Sequence, residues 1–350
     1  MSTTPRATAA AAVRPVQPAD GPGRSLQVRD LSVRFRLPGA TVRAVTRVDL
    51  DLTPGRCLAL VGESGCGKSV LVSALLGLLP ANAEVSGHAV LTGAHQEVDL
   101  LRASERTLSR QVRGRLVGLV PQSPTAYLTP VHTVRNHLHE VLAAHHGGPS
   151  GRWWPIRRAR PGPDQERVEV TAGRAGLPSS ALDRYPHQLS GGMAQRAVTA
   201  LALAGDAWLL LADEPTTGLD RALVDGTLAE LRRLTDQGSA VLLITHDLDA
   251  AARLADDVAV MYAGRVVETG PTDQVLTAPR HPYTRGLLGA QPRHGFHPVP
   301  GFPPELSALP PGCAFAVRCP RATSACDQVP RLHPPVDDDR RHAVACHHPC

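Results

Sequence analysis

Apolar and polar positions alternate at a period of two along residues 26–35 and again along residues 45–52. The second stretch places Val48, Leu50 and Leu52 on one face, so both read as half-buried strands. Residues 57–61, 207–212 and 240–245 do not alternate. They are short and apolar throughout, the pattern of strands covered on both faces. Residues 116–120 add a further strand. Helical spacing appears at residues 69–79, ended by Pro80, and at 131–144, 165–175, 191–203 and 221–234. The last of these carries Leu223, Leu228, Leu231 and Leu234 near one face. Residues 258–262 and 265–268 flank Ala263-Gly264, a hairpin signal. Strands alternating with helices predict an α/β sheet with parallel members.

Composition changes at three places. Residues 1–23 are rich in Ala, Pro and Thr without periodicity, which predicts a disordered tail. Residues 145–163 are rich in Gly, Pro, Arg and Trp and read as a loop or insertion. Proline rises after residue 271, marking a separate C-terminal appendage. No apolar run approaches the ~20 residues needed to span a bilayer. Residues 70–79 are too few, and residues 201–212 are broken by Asp206. The N-terminus carries Arg6 and Arg14 and is cut by Pro5, Pro15 and Pro18, so it lacks the apolar core of a secretory signal. The expectation is a protein made and kept in the cytoplasm.

The 350 residues are 42% hydrophobic, enough for a main domain with an appendage. Net charge is only +5, which suits a membrane surface or a nucleic acid without selecting either. More telling is that Lys plus Arg number 37 and only Lys68 is a lysine. Arginine serves almost everywhere a cation is wanted. A compact ammonium is therefore expected to be required where the single lysine stands.

Lys68 lies in Gly62-Glu63-Ser64-Gly65-Cys66-Gly67-Lys68-Ser69, a P-loop pattern placed after a predicted strand and before a predicted helix. Its glycines let backbone N–H groups turn inward around phosphate oxygens, and the helix N-terminus adds partial positive charge. Lys68 is expected on the β- and γ-phosphates of ATP and Ser69 on Mg²⁺. Cys66 reads as a small filler. Residues 209–213 end an apolar strand in Asp213, followed by Glu214, and resemble a Walker B element. That resemblance gives Asp213 to Mg²⁺ and makes Glu214 the base for the attacking water.

Leu189-Ser190-Gly191-Gly192-Met193, just before a predicted helix, looks like the signature motif of ABC ATPases. The other marks of that family fall in order. Gln122 resembles the Q-loop glutamine, which touches Mg²⁺ and the water. Thr217-Gly218-Leu219-Asp220 resembles the D-loop, with Asp220 at its end. His246 resembles the switch histidine that contacts the γ-phosphate. Phe35 is the candidate for the aromatic that stacks on adenine. The resemblance covers roughly residues 26–292. Met193 in place of the common Gln, the segment 281–288 and the segment 124–130 resemble the oligopeptide/dipeptide/nickel importer branch. Thr129 stands where that branch has Asn.

What the resemblance implies is a P-loop NTPase fold of the ABC type over residues 24–270. It comprises a RecA-like core, an antiparallel β subdomain and a helical subdomain at about 123–205, with a small Cys-rich extension at 271–350. The implied protein is an ATP-hydrolysing importer subunit on the cytoplasmic face of the cell membrane. It would drive two membrane permease subunits and work with a substrate-binding protein. It would pair with a second ATPase subunit, identical or related, whose Ser190, Gly191 and Gly192 equivalents close over the bound ATP. Peptides are the implied cargo, with nickel or another small solute as the alternative. A soluble ABC ATPase acting on nucleic acid or ribosomes is the rival; no tandem ATPase unit or long coiled coil is visible, so no nucleic-acid partner is expected. A non-catalytic scaffold should lack Glu214 or His246, and both are present.

Five of the seven cysteines crowd the C-terminal segment. A reducing cytosol makes disulfides a poor explanation. Cys313, Cys319, Cys326 and Cys346 lack the close Cys pairs of structural zinc sites. The surrounding sequence resembles the extension of peptide-importer ATPases, some of which carry a [4Fe–4S] cluster on four cysteines, the ligand count such a cluster needs. Zinc and free thiols remain the alternatives. Cys350 reads as a bystander.

Overall fold

The computed structural model describes residues 23–94, 96–146, 163–333 and 342–350. All but the last residue of the predicted tail at 1–23 and most of the 145–163 insertion lie outside the described residues.

Two sheets organise the chain. A four-stranded antiparallel sheet has the order β2 (Ala40–Leu52), β1 (Ser25–Leu37), β4 (Ala83–Thr92), β5 (Glu97–Asp99). A seven-stranded mixed sheet has the order β11 (Ala343–Val344), β10 (Arg265–Pro271), β9 (Asp257–Tyr262), β3 (Cys57–Val61), β8 (Ala240–Thr245), β7 (Leu209–Asp213), β6 (Val117–Val120). From β9 through β6 every neighbouring pair is parallel. The strands β10 and β11 close one edge in antiparallel fashion.

The continuous apolar runs have a direct explanation. In β3, Cys57, Ala59 and Val61 enter one core while Leu58 and Leu60 enter the other. In β8, Val241 and Leu243 take the first core and Ala240, Leu242 and Ile244 the second. Side chains alternate at a period of two, but both faces are covered, so the sequence shows no alternation.

The helices α1 (Lys68–Leu75) and α2 (Glu105–Thr107) precede β6. α1 ends sooner than Pro80 suggests. Gly77 at φ +63° takes the left-handed position, its N–H donates to Ala74 O, and Leu78 N–H donates to Ser73 O. This paired bond pattern ends a helix without any proline. Next come α3 (Val134–His146), α4 (Pro163–Arg174) and α5 (Gly191–Leu203), whose buried Val134, Leu138, Val168 and Val198 join the first core. After β7 and β8 follow α6 (Arg221–Asp236) and α7 (Leu248–Leu254).

The segment after residue 271 is not a separate body. It contains α8 (Thr272–Thr277) and α9 (Pro282–Gly289) and returns to the main sheet as β11 on β10. Tyr283, Leu288 and Phe315 are part of the first core. Glu268 on β10 is fully buried and accepts from Arg280 N–H (2.6 Å), His281 N–H (3.0 Å) and His342 Nε2 (2.7 Å). One carboxylate thus ties three points of the extension to the sheet, and both of its buried oxygens are hydrogen-bonded.

His281 caps α9. Its Nδ1 accepts from Tyr283 N–H at 3.0 Å, so the buried ring is neutral there. Burial pushes its pKa down to about 4 from 6.5, against a hydrogen bond to the Ala345 backbone that acts the other way. The unfolded chain therefore binds the extra proton first. The stabilisation is fully present above pH 6.5 and is lost as pH falls towards 4. Unfolding in urea at pH 7 and pH 5 is expected to show about 2 kcal/mol less stability at the lower pH from this residue. His281→Asn, which can still accept the cap bond but not a proton, should flatten that dependence; an unchanged slope would remove His281 from the account.

Candidate nucleotide site

The C-terminal ends of the parallel strands are where an open α/β sheet binds ligands. The loop after β3 carries the glycine-rich motif, β7 ends in Asp213, and the loops after β6 and β8 carry Gln122 and His246. Strand order therefore brings together residues far apart in sequence.

Gly62, Gly65 and Gly67 all adopt positive φ, at 156°, 79° and 108°. A Cβ on Gly62 would stand 2.2 Å from Met261 O, and one on Gly67 2.1 Å from Ala44 O. No side chain fits at either place, so the loop wraps closely against β9 and β2. Lys68 is buried under it, its Nζ donating to Gly62 O at 2.7 Å and Glu63 O at 3.0 Å. Ser64 is exposed at the turn between Glu63 and Gly65. Cys66 is buried, with its thiol pushed up mainly by that burial, as a filler should be.

Ser69 Oγ donates to Asp213 Oδ1 at 3.0 Å. Burial raises the Asp213 carboxyl above its ordinary range, the Ser69 bond opposes that, and neighbouring Glu214 adds to it. Oxygen donors at this spot suit a hard cation such as Mg²⁺.

Glu214 sits just beyond the strand at φ +46°, a left-handed position uncommon for a residue with a Cβ. Its N–H donates to Ile244 O at 2.8 Å, which anchors the strained residue to β8. The carboxylate Oε2 meets Thr217 Oγ1 at 2.8 Å, His246 Nδ1 at 3.2 Å and Gln122 Nε2 at 3.5 Å. These three neighbours hold one oxygen in place. A carboxylate so placed can take a proton.

Ser190, Gly191 and Gly192 stand elsewhere. Ser190 caps α5, accepting from Met193 N–H at 3.3 Å, and a Cβ on Gly192 would lie 2.4 Å from Leu223 Cδ2. Among the described residues no hydrogen bond or ion pair joins this turn to the group around Lys68 and Glu214. Asp220 caps α6 by accepting from Leu223 N–H at 3.0 Å. Phe35 is half-buried on β1, opposite Val42 and Ala83, and packs on the second core.

Glu63 is the residue whose behaviour sequence reasoning missed. Its side chain turns out of the loop to Arg318 of the extension, at 2.9 and 3.0 Å. Its N–H donates to Tyr283 Oη at 3.0 Å. The P-loop pattern names the glycines and the lysine but leaves the second position open, so nothing local signals this pairing.

The C-terminal thiols are all free. Cys313 N–H donates to Cys326 O at 2.8 Å, and His348 N–H donates to Cys346 Sγ at 3.3 Å. Burial pushes the Cys346 thiol up to about 11, with contributions from Cys313, Cys319 and Cys326, so the four share a neighbourhood. Cys350 also acts on Cys319, closer to the group than a bystander should be. Among the described residues, however, no three His, Cys, Asp or Glu side chains are arranged as a metal-ligating set. The expected four-thiolate centre is thus a neighbourhood of sulfurs, not a formed site.

A glycine loop after β3, a carboxylate pair at the end of β7 with β8 between the two strands, and a capped Ser-Gly-Gly helix start define an ATPase of the ATP-binding cassette class. The ABC transporter family profile matches residues 45–217, and the oligopeptide/dipeptide transporter C-terminal region matches residues 267–326. The dipeptide transport ATP-binding protein DppD of Bacillus subtilis is 41% identical over 317 residues, 87% of this chain and 89% of that one. The oligopeptide transport ATP-binding protein OppD of Mycobacterium bovis is 41% identical over 329 residues, 92% of this chain and 51% of that one. The fold is shared with a dimeric ATP-binding cassette bound to ADP and phosphate (TM-score 0.58, 22% identity, 71% of this chain and 98% of that one). It is also shared with cbiO1 of Clostridium perfringens (TM-score 0.58, 24% identity, 73% and 92%). The chain belongs to the ABC transporter ATP-binding family, in its oligopeptide/dipeptide branch.

Proposed function

We propose that this chain is the ATP-hydrolysing subunit of a peptide importer, bound peripherally to the inner face of the cell membrane. Two permease subunits would form the path, and a binding protein outside would deliver the peptide. The single observation that carries the reading is the meeting of Ser69 with Asp213, and of Glu214 with His246 and Gln122, along one sheet edge. The likeness to named dipeptide and oligopeptide transport proteins over most of the chain supports the cargo. No helix among the described residues is long and apolar enough to cross a membrane, in keeping with separate permeases.

The residues divide the work. Loop amides and Lys68 bind the phosphates, and Ser69 with Asp213 and Gln122 would hold Mg²⁺. The ion, when bound, neutralises charge on the phosphate oxygens. Glu214 takes the proton of the attacking water, while Thr217, Gln122 and His246 keep its carboxylate in position. Ser190 and the two glycines after it present a helix start, an anion site, to the ATP of a second subunit. The pairing of two chains then becomes the motion passed to the permeases. Reconstituted with both permeases and the binding protein in vesicles, the complex should accumulate a labelled dipeptide or oligopeptide only with ATP. ATP turnover indifferent to peptide-loaded binding protein would overturn the cargo.

Cys313, Cys319, Cys326 and Cys346 would hold an iron–sulfur cluster. Four soft donors in one neighbourhood fit its chemistry, although they are not drawn together here. Protein purified without oxygen should absorb at roughly 400 nm and contain iron, and Cys319→Ser should abolish both. A colourless, iron-free wild type would leave these as plain thiols.

A further inference from the structure

Arg318 is a buried cation from the extension, and every N–H it carries has a partner. Nη1 donates to Glu63 Oε2 at 2.9 Å and Tyr262 Oη at 3.3 Å. Nη2 donates to Glu63 Oε1 at 3.0 Å and Val299 O at 3.3 Å, and Nε donates to Pro300 O at 2.8 Å. A guanidinium has five donors, and all five are used. Tyr262 and Phe315 lie edge to face at 5.3 Å, and the guanidinium carbon sits 5.8 and 5.9 Å from their ring centres. The side chain of Arg318 is only 4% exposed and that of Glu63 25%, so water screens the pair little.

Glu63 is in turn held on three sides. Arg318 takes its carboxylate, Tyr283 Oη takes its N–H, and Lys68 Nζ takes its C=O. Two of the three holds come from residues beyond 271. The lysine expected on the phosphates therefore rests against a residue whose place is set by the extension. Leu306 O also accepts from Arg43 N–H at 2.9 Å, next to Ala44, whose carbonyl walls Gly67.

We propose that Arg318 is a positioning residue for nucleotide binding. It fixes the first turn of the P-loop through Glu63 and cancels a negative charge one residue into a loop that must receive a polyphosphate. The inference rests on the ATP-site reading above. A buried pair broken on one side leaves an uncompensated charge. Here that charge is a carboxylate in the phosphate-binding loop, so the loss should appear in nucleotide affinity. A displaced binding group can cost up to about a hundredfold.

The test is equilibrium titration of the full chain with a fluorescent Mg·ATP analogue, alongside thermal unfolding. Arg318→Met, which keeps the volume and removes the charge, is expected to weaken binding about tenfold to a hundredfold. Adding Glu63→Gln to Arg318→Met should recover much of that loss, because it removes the stranded charge. Damage to packing alone would not be relieved by a second substitution. In the assembled ATPase the KM should rise while kcat at saturating ATP holds, since the group around Glu214 is untouched. A folded Arg318→Met variant with unchanged affinity, or a loss that Glu63→Gln does not relieve, overturns the proposal. Should Arg318→Met not fold, Arg318→Lys decides. An ammonium has three donors in place of five and no planar fork, so it cannot reproduce this set of bonds, and wild-type affinity there also overturns it. A wild-type chain that binds no Mg·ATP overturns the functional reading itself.

Discussion

Replacing Glu214 with Gln is expected to lower ATP turnover by roughly 10²–10⁴-fold while nucleotide binding survives. The substitution keeps size and shape and removes only the ability to accept a proton. Three side chains converge on one oxygen of this carboxylate, and the backbone is held at φ +46° by the bond to Ile244 O. Such a conformation costs on the order of 1–3 kcal/mol and persists only when the surroundings enforce it. The cost is what puts the carboxylate beyond the strand end, beside Gln122 and His246. The measurement is turnover of the assembled complex together with retained ATP on the same preparation. A variant that hydrolyses within a few-fold of wild type would show that the proton leaves by another route.

Lys68→Ala is expected to abolish useful nucleotide binding, with Mg·ATP affinity lower by a factor on the order of 10² or more. The ammonium is buried, and its bonds to Gly62 O and Glu63 O keep the loop curled around it. Without it the loop loses both its internal brace and the charge that meets the phosphates. Lys68→Arg should not rescue, because a planar guanidinium cannot occupy a pocket shaped for a compact ammonium. Titration with a fluorescent ATP analogue reads both variants. Near-normal affinity for Lys68→Ala would mean that the amides alone carry the phosphate, and for Lys68→Arg that the pocket is not selective for an ammonium.

The residues of the candidate site are legible because their signals are local. The glycine spacing, the lysine and the apolar runs ending in Asp213, Glu214 and His246 each lie within a few residues. Their convergence follows from parallel strand order. Three strands, residues 57–61 and 240–245 and the core of 209–213, read clearly since both faces are apolar. β4 and β5 carry little legible pattern, because β4 fully buries only Ala89 and Leu91 and its first half is mostly exposed. α7 carried a usable signal that went unread, Asp247 capping it through Asp249 N–H and Ala250 N–H. The grip of Arg318 on Glu63 was beyond sequence reasoning, since 255 positions separate the partners and neither has a local pattern. Proline content suggested a detached extension for the same reason. Composition reports local stiffness, not which distant carboxylate a backbone amide will find.

The pairing of Glu268 and Thr269 with Val344 and Ala343 bears on how the chain is made. As the polypeptide leaves the ribosome, β10 emerges long before its outer neighbour, and its free edge stays bare through the whole intervening synthesis. Bare edges recruit other strands. Crowded polysomes and truncated products ending before residue 343 are therefore where clumping of this protein should begin.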